Sequence, residues 1–143
     1  MSSVTEAAPA KLNLALHVRA RMAEGYHALE TLFVFADVGD TVAFEGDAAA
    51  GDFPVALDGP FAPALADDPD NLVARAAHAL AGAAGVARGA QLRLTKRLPV
   101  ASGLGGGSSD AAATLRLLNR HWELGWSAAR LAEIGRASCR ERV

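Results

Sequence analysis

The sequence predicts a two-layer α/β fold of the α+β kind, with strands gathered early in the chain and helices alternating later. Three observations carry that expectation. Lys11 to Arg19 alternates polar and apolar residues, placing Leu12, Leu14, Leu16 and Val18 on one face, as a half-buried strand does. Leu72 to Ala84 repeats its apolar residues at three-to-four spacing, the period of a helix with one buried stripe. Pro99 to Ala112 holds a Gly-rich turn that runs straight into a further helical pattern.

In chain order, the first strand leads into turn residues Glu24-Gly25-Tyr26-His27 and a second strand-like run from Leu29 to Phe35. A Gly39-Asp40 turn then precedes a third strand around Thr41 to Phe44. Residues 45 to 69 are rich in Gly, Pro, Ala and Asp and read as loop, with a short strand at Val55 to Leu57. Asp70 or Asn71 supplies the N-cap of the helix over Leu72 to Ala84, and Gly85 stops it. Ala90, Leu92 and Leu94 alternate with Gln91, Arg93 and Thr95 as the next strand, and Leu115, Leu118 and Trp122 share one face of a helix over Ala111 to Trp122. Ser127 caps a last helix, with Trp126 and Leu131 placed as a hydrophobic staple. The helices from Leu72 and Ser127 carry apolar faces in search of partners, which predicts marginal stability and aggregation.

The 143 residues are enough for one domain with a core, and 51% hydrophobic with 21% charged residues is a globular balance. No apolar run is long enough for a membrane span, and Met1-Ser-Ser-Val-Thr-Glu6 lacks the basic and apolar blocks of a signal peptide. The expectation is a cytoplasmic protein. A formal charge of −2 without a basic cluster before the C-terminus gives no footprint for nucleic acid. The single cysteine, Cys139, cannot form an internal disulfide, and His17, His27, His78 and His121 show no metal-ligand spacing.

Residues 135 to 143, Gly-Arg-Ala-Ser-Cys-Arg-Glu-Arg-Val, break the pattern. They show no apolar periodicity and resemble a translated sequencing adapter, so the domain is expected to be 1–134, with 135–143 a non-native tail. The tail holds three Arg and one Glu, which leaves 11 basic and 15 acidic residues, net −4, in the rest. An ordinary basic, disordered C-terminus is the alternative.

The stretch Pro99, Val100, Ala101, Ser102, Gly103, Leu104, Gly105, Gly106, Gly107, Ser108, Ser109 has the composition of a phosphate cradle. Its glycines accept positive φ and let the backbone approach a ligand, and the helix behind offers unpaired N–H groups and the positive end of its dipole. A flexible linker has a similar composition, but this stretch is gripped by a strand before and a helix after. It is not a Walker-type loop, because no Gly-Lys-Ser/Thr closes it, and Ser108 stands where a dinucleotide fingerprint needs its last glycine.

Pro9-Ala10-Lys11-Leu12-Asn13-Leu14, Gly25-Tyr26-His27, and Leu98-Pro99 through Gly103 to Ala112 together resemble the GHMP kinase superfamily in order and spacing. Asp70-Asn71-Leu72, Lys96-Arg97-Leu98-Pro99 and Leu117-Leu118-Asn119 extend the similarity over nearly all of the chain before residue 135. The resemblance implies an N-terminal domain like the second domain of ribosomal protein S5, packed in the family against a C-terminal ferredoxin-like domain. It implies ATP as co-substrate, with Mg2+, and transfer of the γ-phosphoryl group to a hydroxyl of a small molecule. Gly25-Tyr26-His27 resembles the branch whose substrate is a cytidine-diphosphate-linked methylerythritol, phosphorylated on its 2-hydroxyl. Homoserine- or mevalonate-type kinases, and a nucleotide- or RNA-binding module without catalysis, stay open as alternatives.

By that resemblance Lys11 matches the active-site lysine, whose ammonium stabilises charge on the transferring phosphoryl; the plainer reading is a solvated lysine. Asn13 matches a substrate-binding position, or is a polar strand residue. Tyr26 and His27 match the pair that holds the cytidine, or flank a surface turn. Pro99 to Ser109 match the ATP phosphate loop. Asn71 and Lys96 match positions near the adenosine, and a helix cap and an exposed strand-end lysine explain them nearly as well. The resemblance identifies neither metal ligands nor an oligomeric state.

Two departures stand out. Glu24 replaces the family's Asp before Gly-Tyr-His. The family's catalytic aspartate lies in a Gly-Ala/Ser-Asp-Val-Pro segment after the helix that begins here at Ser127, whereas no Asp follows Asp110. The expectation is therefore that these 143 residues are an inactive N-terminal fragment without the C-terminal domain.

Overall fold

The computed structural model describes residues 4–23, 27–66, 68, 70–100 and 106–140. They form one four-stranded sheet with helices packed on it, in the order β1 (Val4–Arg21), β2 (His27–Ala48), β3 (Val55–Asp58), a 3-10 turn (Ala62–Leu65), α1 (Leu72–Ala84), β4 (Gly89–Thr95), α2 (Gly106–His121) and α3 (Ala128–Arg140). The strands lie in the order β1-β2-β4-β3. β1 is antiparallel to β2, β2 to β4, and β3 runs parallel to β4, so α1 is the crossover that a parallel neighbour requires.

Local chemistry explains the helix ends. The Asn71 side chain accepts a hydrogen bond from the Val73 N–H at 2.8 Å, which caps α1. Gly85 ends it in the left-handed region, at φ 67°. Ser127 Oγ accepts from the Arg130 N–H at 3.2 Å and caps α3. Asn119 closes the connection between α2 and α3 from both sides: its Oδ1 accepts from the Trp126 N–H at 3.0 Å and its Nδ2 donates to the Trp126 carbonyl at 3.1 Å.

The core lies between sheet and helices. Val73, Ala76, Ala77 and Leu80 of α1 meet Ala113, Leu115, Leu117 and Leu118 of α2 over Val42, Leu92 and Leu94 of the sheet, with Trp122 and Leu131 at its margin. The alternation expected in β4 is the one observed, with Ala90, Leu92 and Leu94 buried. Leu118 is fully buried. Leu118→Ala is therefore expected to destabilise the fold by about 2–5 kcal/mol, read from chemical denaturation, and a loss well under 1 kcal/mol would show that α2 is not part of the core.

Several expectations are corrected. The second and third strands are one: β2 passes through Gly39 and Asp40 without turning. A Cβ at Gly39 would stand 2.3 Å from the Ala8 carbonyl oxygen, so glycine is there to let β1 approach, next to a register shift between Pro9 and Lys11. α2 starts at Gly106 rather than Ala111, absorbing the end of the Gly-rich run. α3, for which the sequence supplies a start but no end, runs to Arg140, with Ser138 buried and its hydroxyl donating to the Gly135 carbonyl at 3.0 Å; a helix here is compatible with a native or a non-native origin of residues 135–143.

Burial of the first strand also differs. Leu12 and Leu14 are exposed, as are Leu32, Phe33, Val34 and Phe35 across from them on β2. Past Lys11 the two strands leave the other sheet members, since β4 pairs only with the Thr41 to Ala48 part of β2. They continue as a two-stranded arm. The apolar faces of α1 and α3 are the ones that find partners, in the core, and the exposed apolar side chains lie mainly on the arm.

Candidate functional site

The site is built where β1 leaves the sheet and α2 begins. Ser109, in the first turn of α2, donates its hydroxyl to the Pro9 carbonyl at 2.8 Å. That bond sets the helix start beside Lys11. Pro9, Lys11, Phe35, Ser108, Ser109, Ala112 and Arg116 line a cleft of about 380 Å³. The Lys11 ammonium and the Ser108 hydroxyl thus lie at the end of a helix whose first N–H groups have no partner within it, and Arg116 lines the cleft further along that helix. The arrangement suits a polyanion.

Cross-strand pairing fixes Lys11 further. It stands opposite Phe35 in the register of β1 and β2, and Asn13 stands opposite Phe33. The Lys11 ammonium lies 5.8 Å from the Phe33 ring centre, within reach of a cation–π attraction, and Phe33 meets Phe35 edge-on with centroids 5.6 Å apart. Asn13 shares that face: its Oδ1 lies 3.3 Å from the Thr31 hydroxyl, which also donates to the Ala15 carbonyl at 2.9 Å. Lys11, Ser108 and Ser109 are therefore brought together at the arm's base, and Asn13 lies two residues further along the arm, beside Thr31.

Other expected positions lie elsewhere. His27 opens β2 opposite Arg21, ten positions along β1 from Lys11, so its backbone is not at the cleft. Asn71 spends its side-chain oxygen on the α1 cap. Pro99 and Val100 are exposed at the entry to the Gly-rich segment and Gly106 and Gly107 begin α2. Tyr26, Ala101, Ser102, Gly103, Leu104 and Gly105 lie outside the described residues.

Lys96 differs most from its expectation. Only 2% exposed, it does not face solvent from the strand end. Its ammonium is 2.6 Å from Asp40 Oδ2 and 3.1 Å from Asp110 Oδ2. Asp40 Oδ1 accepts from the backbone N–H groups of Arg97 at 2.7 Å and Leu98 at 2.9 Å. Burial pushes the Asp110 carboxyl up to about 8, assisted by its hydrogen bond with Asp40 and opposed by Lys96. Burial also raises Asp40, but hydrogen bonds from Asp110, Lys96, Leu98 and Arg97 outweigh it and hold Asp40 below the usual carboxylate range. Burial lowers Lys96, and its two carboxylate partners outweigh that and hold it above its ordinary value.

Sequence reasoning missed Arg116. It lines the cleft while its guanidinium donates from Nε to Glu6 Oε1 at 2.9 Å and from a terminal nitrogen to the Ala7 carbonyl at 3.0 Å. The available signal was spacing, since Ser108, Ala112 and Arg116 follow one another at four residues along a single helix face. Asp40 was missed because its neighbour Gly39 suggested a turn.

Comparison with known proteins agrees with this architecture. Residues 71–142 match the GHMP kinases N terminal domain. The 4-diphosphocytidyl-2-C-methyl-D-erythritol kinase of Rhizorhabdus wittichii is 61% identical over 118 residues, covering 81% of this chain and 39% of the relative. That of Granulibacter bethesdensis is 56% identical over 116 residues, covering 80% and 38%. The chain thus spans about two-fifths of the length of these relatives. A crystal structure of 4-(cytidine 5'-diphospho)-2C-methyl-D-erythritol kinase superposes with a TM-score of 0.70 at 36% identity, over 92% of this chain and 46% of the other. Homoserine kinase from Cytophaga hutchinsonii shares the fold at a TM-score of 0.66 and 15% identity, over 96% and 41%. With its sheet, its helix-borne cleft and a family match over half its length, this chain belongs to the GHMP kinases, through their N-terminal domain.

Proposed function

We propose that this chain contributes the ATP-phosphate side of a kinase that transfers the γ-phosphoryl group of ATP to the 2-hydroxyl of 4-diphosphocytidyl-2-C-methyl-D-erythritol. The observation that carries the reading is the cleft at the start of α2, lined by Lys11, Ser108 and Ser109, with Arg116 further along the same helix. The names of the relatives supply the substrate. Phosphoryl transfer asks for neutralised phosphates and an oriented hydroxyl rather than covalent chemistry from the protein. The N–H groups of the α2 start and the Ser108 hydroxyl cradle the phosphates, Ser109 ties that start to Pro9, and the Lys11 ammonium meets the charge that grows on the transferring group. Asn13 orients the acceptor end of the substrate, while Tyr26 and His27 hold the cytidine.

Among the described residues no group of three or more His, Cys, Asp or Glu side chains is placed to hold a metal ion. Mg2+ enters the proposal only as the ion that accompanies ATP, with no protein ligand assigned. No helix among the described residues is long and apolar enough to cross a membrane. A cytoplasmic location is part of the proposal and rests on the ATP it consumes. The chain spans about two-fifths of the length of its relatives, so ligand binding is the direct test of this domain.

Thermal unfolding provides that test. ATP at about a hundredfold excess over its dissociation constant should add about 2.7 kcal/mol to stability. Cytidine nucleotides should raise the midpoint as well, whereas homoserine and mevalonate should not. Absence of any shift with ATP would overturn the reading, and a shift with homoserine or mevalonate alone would redirect the substrate.

A further inference from the structure

The Asp40–Lys96–Asp110 cluster is the most deeply buried set of charges among the described residues, with each member about 2% exposed, and no phosphoryl-transfer step above uses it. Its position gives it a task. Asp40 Oδ1 holds the N–H groups of Arg97 and Leu98, where the chain leaves β4 for the Gly-rich turn. Asp110 sits in α2, four residues after the helix begins. Lys96 joins the two carboxylates, and its ammonium lies against the helix start, 3.2 Å from where a Cβ on Gly106 would be. One cluster therefore pins both the entry and the exit of the turn.

The cluster also has a proton to account for. Three ionised groups would leave one uncompensated negative charge in a buried site, which is costly. Asp110 Oδ1 is buried without a hydrogen-bond partner, so the proton that Asp110 shares with Asp40 sits on Oδ2, the oxygen that also meets Lys96. As a neutral acid it donates to Asp40, and the cluster is left as one cation and one anion. The charged groups that face Asp110 among the described residues are Asp40 from β2 and Lys96 from the end of β4. α1 turns apolar Leu72 toward the helix start at Gly107, and β1 offers the Pro9 carbonyl to Ser109.

We propose that Asp40, Lys96 and Asp110 form a one-proton latch that fixes the two ends of the Gly-rich turn, and that nucleotide binding weakens when the proton leaves. The inference rests on the nucleotide-binding reading of that turn. Asp110 is a positioning residue: it touches no ligand and acts through Lys96 and Asp40. Asn in its place presents a neutral amide of the same shape that also donates toward Asp40, so Asp110→Asn makes the protonated state permanent.

The test is ATP affinity as a function of pH in the full chain. Between about pH 7 and about pH 9.5 the parent's dissociation constant is expected to rise about fivefold or more, while that of Asp110→Asn stays flat; the same ATP serves both, so its own ionisation cancels. Parallel pH profiles for the two proteins would overturn the latch. If neither protein binds ATP at any pH, the nucleotide-binding reading fails and amide hydrogen exchange decides the latch by itself. Arg97 and Leu98 should then lose protection above about pH 8 in the parent, beyond the intrinsic rise, and keep it in Asp110→Asn. Equal protection in both would overturn the latch on that arm too.

Discussion

Replacing Lys11 by Met is expected to lower the phosphoryl-transfer rate by about 10²–10³-fold, because it removes a fixed positive charge aimed at the charge that develops in the transition state. ATP affinity should change much less. The phosphates keep the helix start and the Ser108 hydroxyl, which line the same cleft. Met preserves the length and the apolar stem that lies near Phe33, so the fold is left intact. The measurement is ADP release at saturating ATP and substrate, in a protein carrying these residues through to the length of its relatives. A fall in kcat and kcat/KM together marks an interaction made in the transition state. A rise in KM for ATP with kcat unchanged would instead make Lys11 a ground-state phosphate contact. Lys11→Arg keeps the charge but spreads it over a planar fork, and should fall between Met and the parent.

The largest loss of stability is expected at Lys96. Lys96→Met leaves the Asp40 carboxylate buried without its cation, and breaking a buried pair from one side costs about 3–5 kcal/mol. Arg93→Met is the contrast, because Arg93 pairs with Glu45 at the surface, where such pairs contribute about 0–1 kcal/mol. Urea unfolding of the two variants beside the parent separates these outcomes. Equal and small losses would mean that the cluster is hydrated and contributes little. The pH dependence has a definite sign: the folded state keeps the Asp110 proton up to about pH 8, whereas an unfolded carboxyl has released it near pH 4. Stability due to this group is therefore complete below about pH 4, declines up to about pH 8, and is flat above.

What the sequence made legible follows the range of the interactions involved. The α1 boundaries were readable because Asn71 and Gly85 act within a turn of the residues they serve. The β4 alternation was readable because both of its faces have fixed surroundings, helices on one and solvent on the other. The alternation of Lys11 to Arg19 was equally clear, yet it shows only that the two faces differ, not what covers either, and Leu12 and Leu14 came out exposed. Asp40 and Lys96 are 56 residues apart, and no local pattern reveals such a pairing: Gly39-Asp40 has the composition of a turn, and Lys96 looks like a strand-end lysine. At the site, a resemblance suggested Lys11 and the two serines, but only the fold shows Ser109 tied to Pro9 and Arg116 completing the cleft.

The arm built from β1 and β2 has a consequence during synthesis. Its two strands pair close together in the chain, with Arg21 opposite His27, and a hairpin of this kind closes in about 1–10 μs. β4 must join Thr41 to Thr95, and a ribosome adding about 5–20 residues per second reaches that partner roughly 3–10 s later. For those seconds the nascent chain carries an isolated hairpin, which is marginal on its own in water. Leu14, Leu32 and Phe35 remain exposed even after the core has formed, so the arm presents apolar surface to its surroundings for longer than any core strand does.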